Sequence, residues 1–343
     1  MPDVIINTWD RSVDFFNEVP RKAVDLYDGL SGFKLELLNY SENATYLLQN
    51  PETGGKRILR VCRPNYHSKE EIESEIQWML SIGEHTSIVV PKPIVGENGE
   101  YVQSIRLDYR DFEYHCVLFT FLEGDEPDIE NEEKLIEVFE EIGKTAAQFH
   151  KHVMEKGNGF TNIKRPIWDY ENLLGDKAKW GRWHDGLAIT PAREALFTRV
   201  SKVIRNRLER FGQGRERFGL IHGDLRHANL LVRQGEVQVI DFDDSGFGWF
   251  LFDLAASLTF IEHRRYVPKL IESWLKGYRQ VRPLSEEEEF EIPTFILMRR
   301  LQLIAWVGSR ENETTTELGS AFTEQTDALA EAYLREFEGL SIR

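Results

Sequence analysis

The sequence predicts an α+β protein of two lobes: an N-terminal lobe built on an antiparallel sheet with one main helix, and a mostly helical C-terminal lobe with a small β patch. Short apolar-rich runs fill the first third of the chain, whereas a helical period dominates the remainder. The composition changes most sharply at 123–127, a run of acidic residues, glycine and proline. We therefore predict lobes of residues 1–122 and 123–343, and a chain of 343 residues is long enough for both.

The N-terminal lobe is predicted to contain five strands and one helix. A turn sequence at 50–55, rich in proline and glycine, joins two of the strands as a hairpin. Ser68 followed three residues later by Glu71 is typical of a helix N-terminus, and the apolar residues after it recur with a helical period until Gly83. The predicted strands are 34–40, 44–50, 57–63, 101–107 and 114–122.

The C-terminal lobe is predicted to be helical except for three strand-like segments. Amphipathic periodicity and helix-start signals predict helices over 130–152, 191–211, 250–262, 266–281, 285–308 and 320–337. The strand-like segments are 218–222, 229–233 and 236–241, separated by polar turns. A β patch surrounded by helices is unusual, and its side chains are examined for a functional role.

The charge balance and the cysteines exclude several classes of protein. Asp and Glu number 58 against 42 Lys and Arg, a net charge of −16, which would repel a nucleic-acid backbone. The acidic excess could attract a cationic substrate, although a solvated surface explains it more simply. Cys62 and Cys116 stand in apolar stretches without metal-ligand spacing, which predicts reduced core residues. Without a signal sequence or an apolar run of membrane length, we expect a cytoplasmic protein with no nucleic-acid or membrane partner, of unpredicted oligomeric state.

The β patch carries a spacing that suits phosphoryl transfer. Asp224 stands five residues before Asn229, and Asp241 lies at the end of a following strand. Magnesium-dependent phosphoryl transfer needs a loop carboxylate that accepts the proton of the attacking hydroxyl, and amide and carboxylate oxygens that hold the cation on the nucleotide phosphates. Polar turns are rich in Asp and Asn in any protein. His222 before Asp224 and the strand after Asn229 nevertheless favour the functional interpretation.

At these residues the chain resembles the aminoglycoside phosphotransferase and choline kinase superfamily, whose members share the bilobal protein-kinase-like fold. The segments HGDLRHANLL at 222–231 and VIDFDD at 239–244 carry the resemblance, and the order of elements matches along most of the chain. The resemblance implies an enzyme that uses ATP and Mg²⁺ as its cofactors.

The resemblance also implies roles for individual residues. Asp224 would be the catalytic base, and Asn229 and Asp241 would be the magnesium ligands. His222 would organise the loop, and Asp253, at the start of the next helix, would brace the loop backbone. The last two residues are therefore expected to give structural support.

A nucleotide site of this type needs a cation on the third strand, paired with a helix glutamate. The family usually has lysine there, whereas this chain has Arg60, which interrupts an apolar face of the strand. An arginine fork can bind a phosphate and a carboxylate, so we predict that Arg60 holds the α- and β-phosphates. Glu75, at the edge of the buried helix face, is the predicted partner, with Glu73 as the alternative.

The rest of the nucleotide site is predicted from position alone. The sequence contains neither a Gly-x-Gly-x-x-Gly motif nor a P-loop. The turn between the first two strands contains Ser41 and Asn43, which could present backbone N–H groups to the phosphates or simply form a hairpin turn. Adenine is expected at the lobe junction, against the backbone of Thr120, Phe121 and Leu122.

The favoured function is ATP- and Mg²⁺-dependent transfer of the γ-phosphoryl group to a hydroxyl of a small molecule of amino alcohol, amino acid or sugar type. The acceptor pocket is the least constrained part of this prediction. Arg299 and Arg300, in an apolar helix, could bind an anionic group, but an internal ion pair is the simpler interpretation of each.

Two alternatives stay open. The segment Cys62-Arg63-Pro64 and the helix around Arg299 resemble the bacterial stress response kinase A group, which phosphorylates protein Ser/Thr, and equally the homoserine-kinase-like and choline-kinase-like members. A protein Ser/Thr acceptor is therefore the first alternative. Because Arg60 replaces the usual lysine, a nucleotide-binding pseudokinase that acts through interactions is the second.

Overall fold

The computed structural model describes residues 13–40, 43–160, 162–310 and 312–340, and its architecture is the predicted α+β class. The strands are β1 (Lys34–Tyr40), β2 (Ala44–Gln49), β3 (Lys56–Val61), β4 (Pro93–Ile94), β5 (Val102–Arg106), β6 (Glu113–Thr120), β7 (Ile167–Trp168), β8 (Phe218–Ile221), β9 (Leu230–Arg233), β10 (Glu236–Val239) and β11 (Gly246–Trp249). The helices are α1 (Val13–Val24), α2 (Lys69–His85), α3 (Glu132–Lys156), α4 (Tyr170–Leu174), α5 (Pro191–Phe211), α6 (Leu251–Ser257), α7 (Val267–Arg279), α8 (Glu286–Phe290), α9 (Ile292–Ser309) and α10 (Glu313–Phe337).

One antiparallel sheet contains β1 to β6. Its strands run in the order β1-β2-β3-β6, and β4 and β5 both pair with the remaining edge of β6. The predicted β2–β3 hairpin is present, with Ala44 opposite Val61. Arg60 lies opposite Thr45 on one side and Val117 on the other. Because β3 is hydrogen-bonded along both edges, the backbone that carries Arg60 is held firmly.

Helix α2 begins where the sequence predicts. The Ser68 hydroxyl accepts a hydrogen bond from the Glu71 backbone N–H at 3.2 Å, and the Glu71 carboxylate accepts one from the Ser68 N–H at 2.8 Å. This reciprocal cap satisfies two backbone donors at the helix start. The face of α2 that buries Ile72 and Ile76 also carries Glu75, so the cap and the apolar period together aim Glu75 into the protein.

The C-terminal lobe is built around α9. Its side chains are buried on nearly all sides and share one apolar core with those of α3, α5, α6 and α10. Helices α3 and α7 pack closely along their length. In the part of the chain that the structure describes, no helix is both long and apolar enough to cross a membrane.

The β patch differs from the prediction because it consists of two small sheets. β9 and β10 form the expected hairpin, whereas β8 pairs with β11, and β11 pairs in parallel with β7. The short strands β7 and β11 were not predicted. Strands of two to four residues are too short to show alternation, and the glycines of β11 weaken any strand signal.

Several helix predictions also need correction. Helix α1 was not predicted, and Pro20 in its interior argues against a helix at that position. The predicted helix 250–262 ends at Ser257, and Phe260 after it has a left-handed φ of 72°. The predicted helix 285–308 is divided into α8 and α9, because Pro293 starts a second helix.

Helix α10 begins at Glu313, seven residues before the predicted start at 320. Gly319 breaks it internally with a φ of 49°, a conformation that glycine adopts without strain. The sequence signal therefore identified only the part of α10 beyond the break.

The connection between the lobes is fastened to the β9–β10 hairpin. The backbone groups of Asp125 and Val232 exchange two hydrogen bonds of 3.1 and 2.8 Å, and the Gln238 side chain donates to the Glu123 carbonyl at 2.8 Å. The lobe boundary proposed at 122/123 lies within this connection and stays a prediction.

Candidate active site

A cleft lies between β3 of the sheet and the helical lobe. Polar groups from both lobes converge on it. Its lining includes Asn43, Arg60, Trp180, Asp224, Arg226, Asp241, Asp243, Asp244, Thr259, Phe260, Arg299 and Trp306. Four residues that the sequence predicts for catalysis, metal binding or phosphate binding are therefore in its wall: Asn43, Arg60, Asp224 and Asp241.

The loop that carries Asp224 is held by Asp253 in the first turn of α6. The Asp253 carboxylate is fully buried and accepts hydrogen bonds from the backbone N–H groups of His222 at 3.1 Å and Gly223 at 2.8 Å. Gly223 has a φ of 80°, and a side chain there would overlap the Asp244 carbonyl. Asp253 therefore occupies the bracing position that the family resemblance implies.

His222 lies beneath the same loop. Its ring is fully buried, and its Nε2 lies 3.2 Å from the Ile240 carbonyl on the segment that leads to Asp241. Burial lowers the pKa of His222, so a neutral ring is favoured there. The ring therefore connects the loop that carries Asp224 to the segment that carries Asp241.

Both carboxylate oxygens of Asp224 are hydrogen-bonded. Oδ1 accepts from Arg299 Nη2 at 2.5 Å, and Oδ2 accepts from Arg226 Nε at 3.1 Å and from the Asn229 amide nitrogen at 2.8 Å. Burial alone would raise the pKa of Asp224, but the charges of Arg226 and Arg299 lower it below its ordinary value. The carboxylate is therefore ionised and fixed in orientation.

The orientation of Asn229 leaves its side-chain oxygen for another ligand. Its amide nitrogen donates to both the main-chain oxygen and the carboxylate of Asp224, each at 2.8 Å. An amide presents its oxygen at the end opposite these donors. A buried Asn held in this way can offer one oxygen to a cation beside Asp224.

Asp241 and Asp243 supply further oxygens. Asp241 has a left-handed φ of 61°, an unusual conformation for a residue other than glycine. Burial and the nearby Asp243 carboxylate raise the pKa of Asp241 to about 7. The Asp243 carboxylate is buried, and its oxygens lie 3.8 Å from Arg60 Nη1 and 3.8 Å from His67 Nε2.

These oxygens fit a hard divalent cation. Two carboxylates and an amide match the preference of Mg²⁺ for oxygen ligands. A cation would stabilise the ionised form of Asp241 against the burial and the Asp243 charge that raise its pKa. Within the described ranges, no group of three or more His, Cys, Asp or Glu side chains forms a metal cage. Magnesium commonly takes only one or two carboxylates and completes its shell with water and substrate phosphates.

Arg60 forms the ion pair that the sequence predicts. Its Nη1 and Nη2 donate to the two carboxylate oxygens of Glu75 at 2.7 and 2.8 Å, and both side chains are buried. Glu73, the alternative partner, is exposed and pairs with Lys69 at 3.7 Å instead. Arg60 Nε has no hydrogen-bond acceptor among the described residues, which leaves one donor for a ligand in the cleft.

Of the remaining predicted nucleotide residues, Asn43 lines the cleft, whereas Thr120, Phe121 and Leu122 do not. Ser41 is outside the described residues. The side-chain oxygen of Asn43 accepts a hydrogen bond from the Arg63 backbone N–H at 3.0 Å. At the end of β6, the Thr120 hydroxyl accepts from the Lys92 N–H at 2.9 Å, and Phe121 and Leu122 are half-buried in the lobe connection.

Sequence reasoning missed two residues of the site and the partner of a third. Arg226 was not singled out, although it stands two residues after Asp224. Asp243 was hidden among the acidic residues that follow Asp241. The prediction of an internal ion pair holds for both arginines: Arg300 donates to Glu262 at 2.7 Å in the core, and Arg299 donates to Asp224, the candidate catalytic base. A charge in a strongly apolar helix was the only available signal, and it does not identify the partner.

The fold and this cleft define a kinase-like phosphotransferase. A profile described as "Phosphotransferase enzyme family" matches residues 36–284, so the chain belongs to that family. Relatives and structural neighbours are phosphotransferases that act on hydroxyl groups, which makes this protein a phosphotransferase as well. The predictions of family and of fold class are confirmed.

Three relatives place the chain among small-molecule kinases. A solved structure of a microcompartment-associated aminopropanol kinase is 37% identical, with a TM-score of 0.83, and the match covers 93% of this chain and 97% of that one. The amicoumacin kinase of Bacillus subtilis is 23% identical over 80% of this chain and 79% of its own length. The homoserine kinase of Gluconobacter oxydans is 25% identical over 74% of each chain.

Proposed function

We propose that this protein transfers the γ-phosphoryl group of ATP to a hydroxyl of a small molecule that carries an amino group. The convergence of Asp224, Asn229 and Asp241 on one cleft with the Arg60–Glu75 pair carries this proposal. The acceptor oxygen forms a bond to the γ-phosphorus, the bond from that phosphorus to the β–γ bridging oxygen breaks, and the hydroxyl proton passes to Asp224. ADP and the phosphorylated alcohol leave.

Different residues of the cleft carry out proton transfer, charge neutralisation and phosphate binding. Asp224 orients the hydroxyl and accepts its proton, and its lowered pKa suits a loose transition state in which proton transfer is late. Arg226, beside Asp224, can neutralise charge on the migrating phosphoryl group. Arg60 holds the α- and β-phosphates, and Asn229, Asp241 and Asp243 would hold Mg²⁺. When bound, Mg²⁺ would supply positive charge to the phosphate oxygens.

The wall of the cleft beyond Asp224 suits an ammonium group. Tyr66 donates a hydrogen bond to the Asp244 carboxylate at 3.1 Å, and the Trp180 indole donates to the Tyr66 hydroxyl at 3.0 Å, so the carboxylate is oriented from behind. Trp180, Phe260 and Trp306 line the same cleft. A fixed carboxylate beside aromatic faces is an arrangement that attracts an alkylammonium ion.

Like-charge repulsion supports the same conclusion. Burial and the carboxylates of Asp224 and Asp243 raise the pKa of Asp244 to about 8. The charge of Lys179 offsets part of this repulsion, and a cationic acceptor beside Asp244 would offset more of it. The similar kinases named for aminopropanol and homoserine take compounds with both a hydroxyl and an amino group, which supports an acceptor of this kind.

A panel of acceptors tests the proposal. ADP release is measured with Mg²⁺ and ATP for aminopropanol, ethanolamine and homoserine, each beside the analogue that lacks the amino group. We expect kcat/KM for at least one amino compound to exceed that of its analogue by about 10²-fold or more, because the analogue cannot place a positive charge beside Asp244. Asp244→Asn should reduce this ratio.

Two outcomes would contradict the proposal in different ways. Phosphorylation of protein Ser/Thr without turnover of any small alcohol would support the first alternative. Binding of Mg²⁺ and nucleotide without turnover of any acceptor would support a pseudokinase.

A further inference from the structure

Behind the candidate catalytic loop, a series of buried polar side chains runs from α6 through α3 to α7 and α8. The Asp253 carboxylate, which already holds the loop backbone, also lies 3.1 Å from His150 Nε2. His150 Nδ1 lies 2.8 Å from the Tyr278 hydroxyl, and Arg282 Nη1 donates to the same hydroxyl at 2.6 Å. Asp253, His150 and Tyr278 are each fully buried.

The chemistry of the donors fixes the direction of these hydrogen bonds. A guanidinium only donates, so the Tyr278 oxygen accepts from Arg282. The single proton of the Tyr278 hydroxyl is then free to be donated to His150 Nδ1. A neutral His150 with that nitrogen as acceptor carries its proton on Nε2 and donates it to Asp253. Every group in the series is satisfied in this one arrangement.

The same network holds both ends of β8, the four-residue strand that leads into the catalytic loop. At its far end, Arg282 donates to the carbonyl of Glu216, two residues before the strand. At its near end, Asp253 accepts from the backbone N–H groups of His222 and Gly223. Arg282 is itself held by Glu288 at 3.3 Å. One connected set of side chains therefore holds both ends of the strand that leads into the loop of Asp224.

We infer that His150, Tyr278 and Arg282 are positioning residues for catalysis, which set where Asp224 stands by orienting Asp253 and fixing β8. The inference rests on the proposed function only through the catalytic role of Asp224. None of the three lines the cleft. Their removal should therefore lower kcat while leaving the KM for both substrates nearly unchanged, because a misplaced base slows the chemical step without removing a binding contact.

Tyr278→Phe is the sharpest test, because it removes one hydroxyl and preserves the ring. We expect kcat to fall about 10-fold, with nucleotide affinity in the presence of Mg²⁺ unchanged. Tyr333→Phe is the matched control, since Tyr333 is also buried and its hydroxyl contacts Thr294 at 3.0 Å, outside the network. The control should keep its kcat at temperatures where both variants are folded. Equal kcat values for the two variants would overturn the inference.

Hydrogen exchange supplies a readout that needs no turnover. The amides of His222 and Gly223 should exchange faster in Tyr278→Phe than in wild type or in Tyr333→Phe, because a loosened Asp253 protects them less. His150→Gln keeps one donor and one acceptor and should retain more kcat than His150→Leu. An inactive wild type would refute the proposed function, whereas an active wild type with unchanged kcat and exchange in Tyr278→Phe would refute only the positioning role.

Discussion

At the scale of single residues, three side chains donate hydrogen bonds to the Asp224 carboxylate, and this geometry predicts the effect of replacing Asp224. Asp224→Asn preserves the shape of the side chain but removes the proton acceptor and the charge that pairs with Arg299 and Arg226. We expect kcat to fall by at least about 10²-fold with nucleotide binding near wild type, since general-base assistance is typically worth 10² to 10⁴. Steady-state kinetics and calorimetry measure the two quantities. Asp176→Asn, at an exposed position, is the control, and wild-type turnover of Asp224→Asn would remove the assignment.

Asp241 is the second single residue whose replacement is informative, because its predicted role is in metal binding and not in proton transfer. Asp241→Asn should weaken nucleotide binding in the presence of Mg²⁺ by more than about tenfold, because one charged oxygen ligand of the cation is lost. Titrations of nucleotide with Mg²⁺ and with a chelator measure the difference. Without Mg²⁺ the variant and the wild type should bind alike. Identical titration curves for the two proteins in Mg²⁺ would show that Asp241 does not hold the metal.

At the scale of elements, the close packing of α3 against α7 depends on two glycines. A side chain at Gly143 would overlap the carbonyl of Trp274, and one at Gly277 would overlap the carbonyl of Glu140. The two helix backbones are therefore in direct contact. This contact brings His150 of α3 within hydrogen-bonding distance of Tyr278, the residue after Gly277 in α7. The positioning network therefore depends on the glycines.

Gly143→Ala should lower the free energy of unfolding by about 1–3 kcal/mol, because α3 and α7 must move apart to admit the methyl group. Gly83→Ala in α2 is the matched control. Open space surrounds Gly83, so alanine there should stabilise the helix by up to about 1 kcal/mol. Urea titration of both variants measures the free energies. A Gly143→Ala protein as stable as wild type would show that the two helices are not in the close contact described.

At the scale of the whole molecule, one buried histidine joins the lobes. His152 of α3 lies 3.0 Å from the Ser81 hydroxyl of α2, and its ring packs against Phe160 with 5.5 Å between ring centroids. Burial, followed by the charges of Lys156 and His85, lowers the pKa of His152 to about 4. Between about pH 4 and pH 6.5, the His152 ring is therefore neutral in the folded protein but protonated in the unfolded chain.

This difference predicts the pH dependence of stability. The folded pKa is below the ordinary value of about 6.5, so the contribution of His152 is fully present above pH 6.5 and is lost as the pH falls toward 4. We expect a loss on the order of 2 kcal/mol across this interval, measured by urea titration. His152→Gln keeps a polar contact with Ser81 but cannot titrate there, so its stability should fall less. His85→Gln, at an exposed ring nearby, is the control, and parallel curves for wild type and His152→Gln would contradict the assignment.

The sequence by itself determined the features whose signals are local. The cap at Ser68, the β2–β3 hairpin, the position of Arg60 on a central strand and the spacing of Asp224, Asn229 and Asp241 each arise within one or two neighbouring elements. Helical and strand periods, turn residues and capping pairs act over a few residues, and a single chain displays them directly. The fold class and the phosphotransferase family followed from these signals and are confirmed.

Only the tertiary structure decided which distant side chains meet. Arg299 and Asp224 are 75 residues apart, His150 and Asp253 are 103 apart, and Tyr66 and Asp244 are 178 apart, yet each pair is in hydrogen-bonding distance. No local pattern specifies such a partner, because the contact depends on how whole helices pack and on where glycines permit close approach. The division of the β patch into two sheets has the same cause. Strands this short are paired according to how the surrounding helices pack and not according to the residues of the strands themselves.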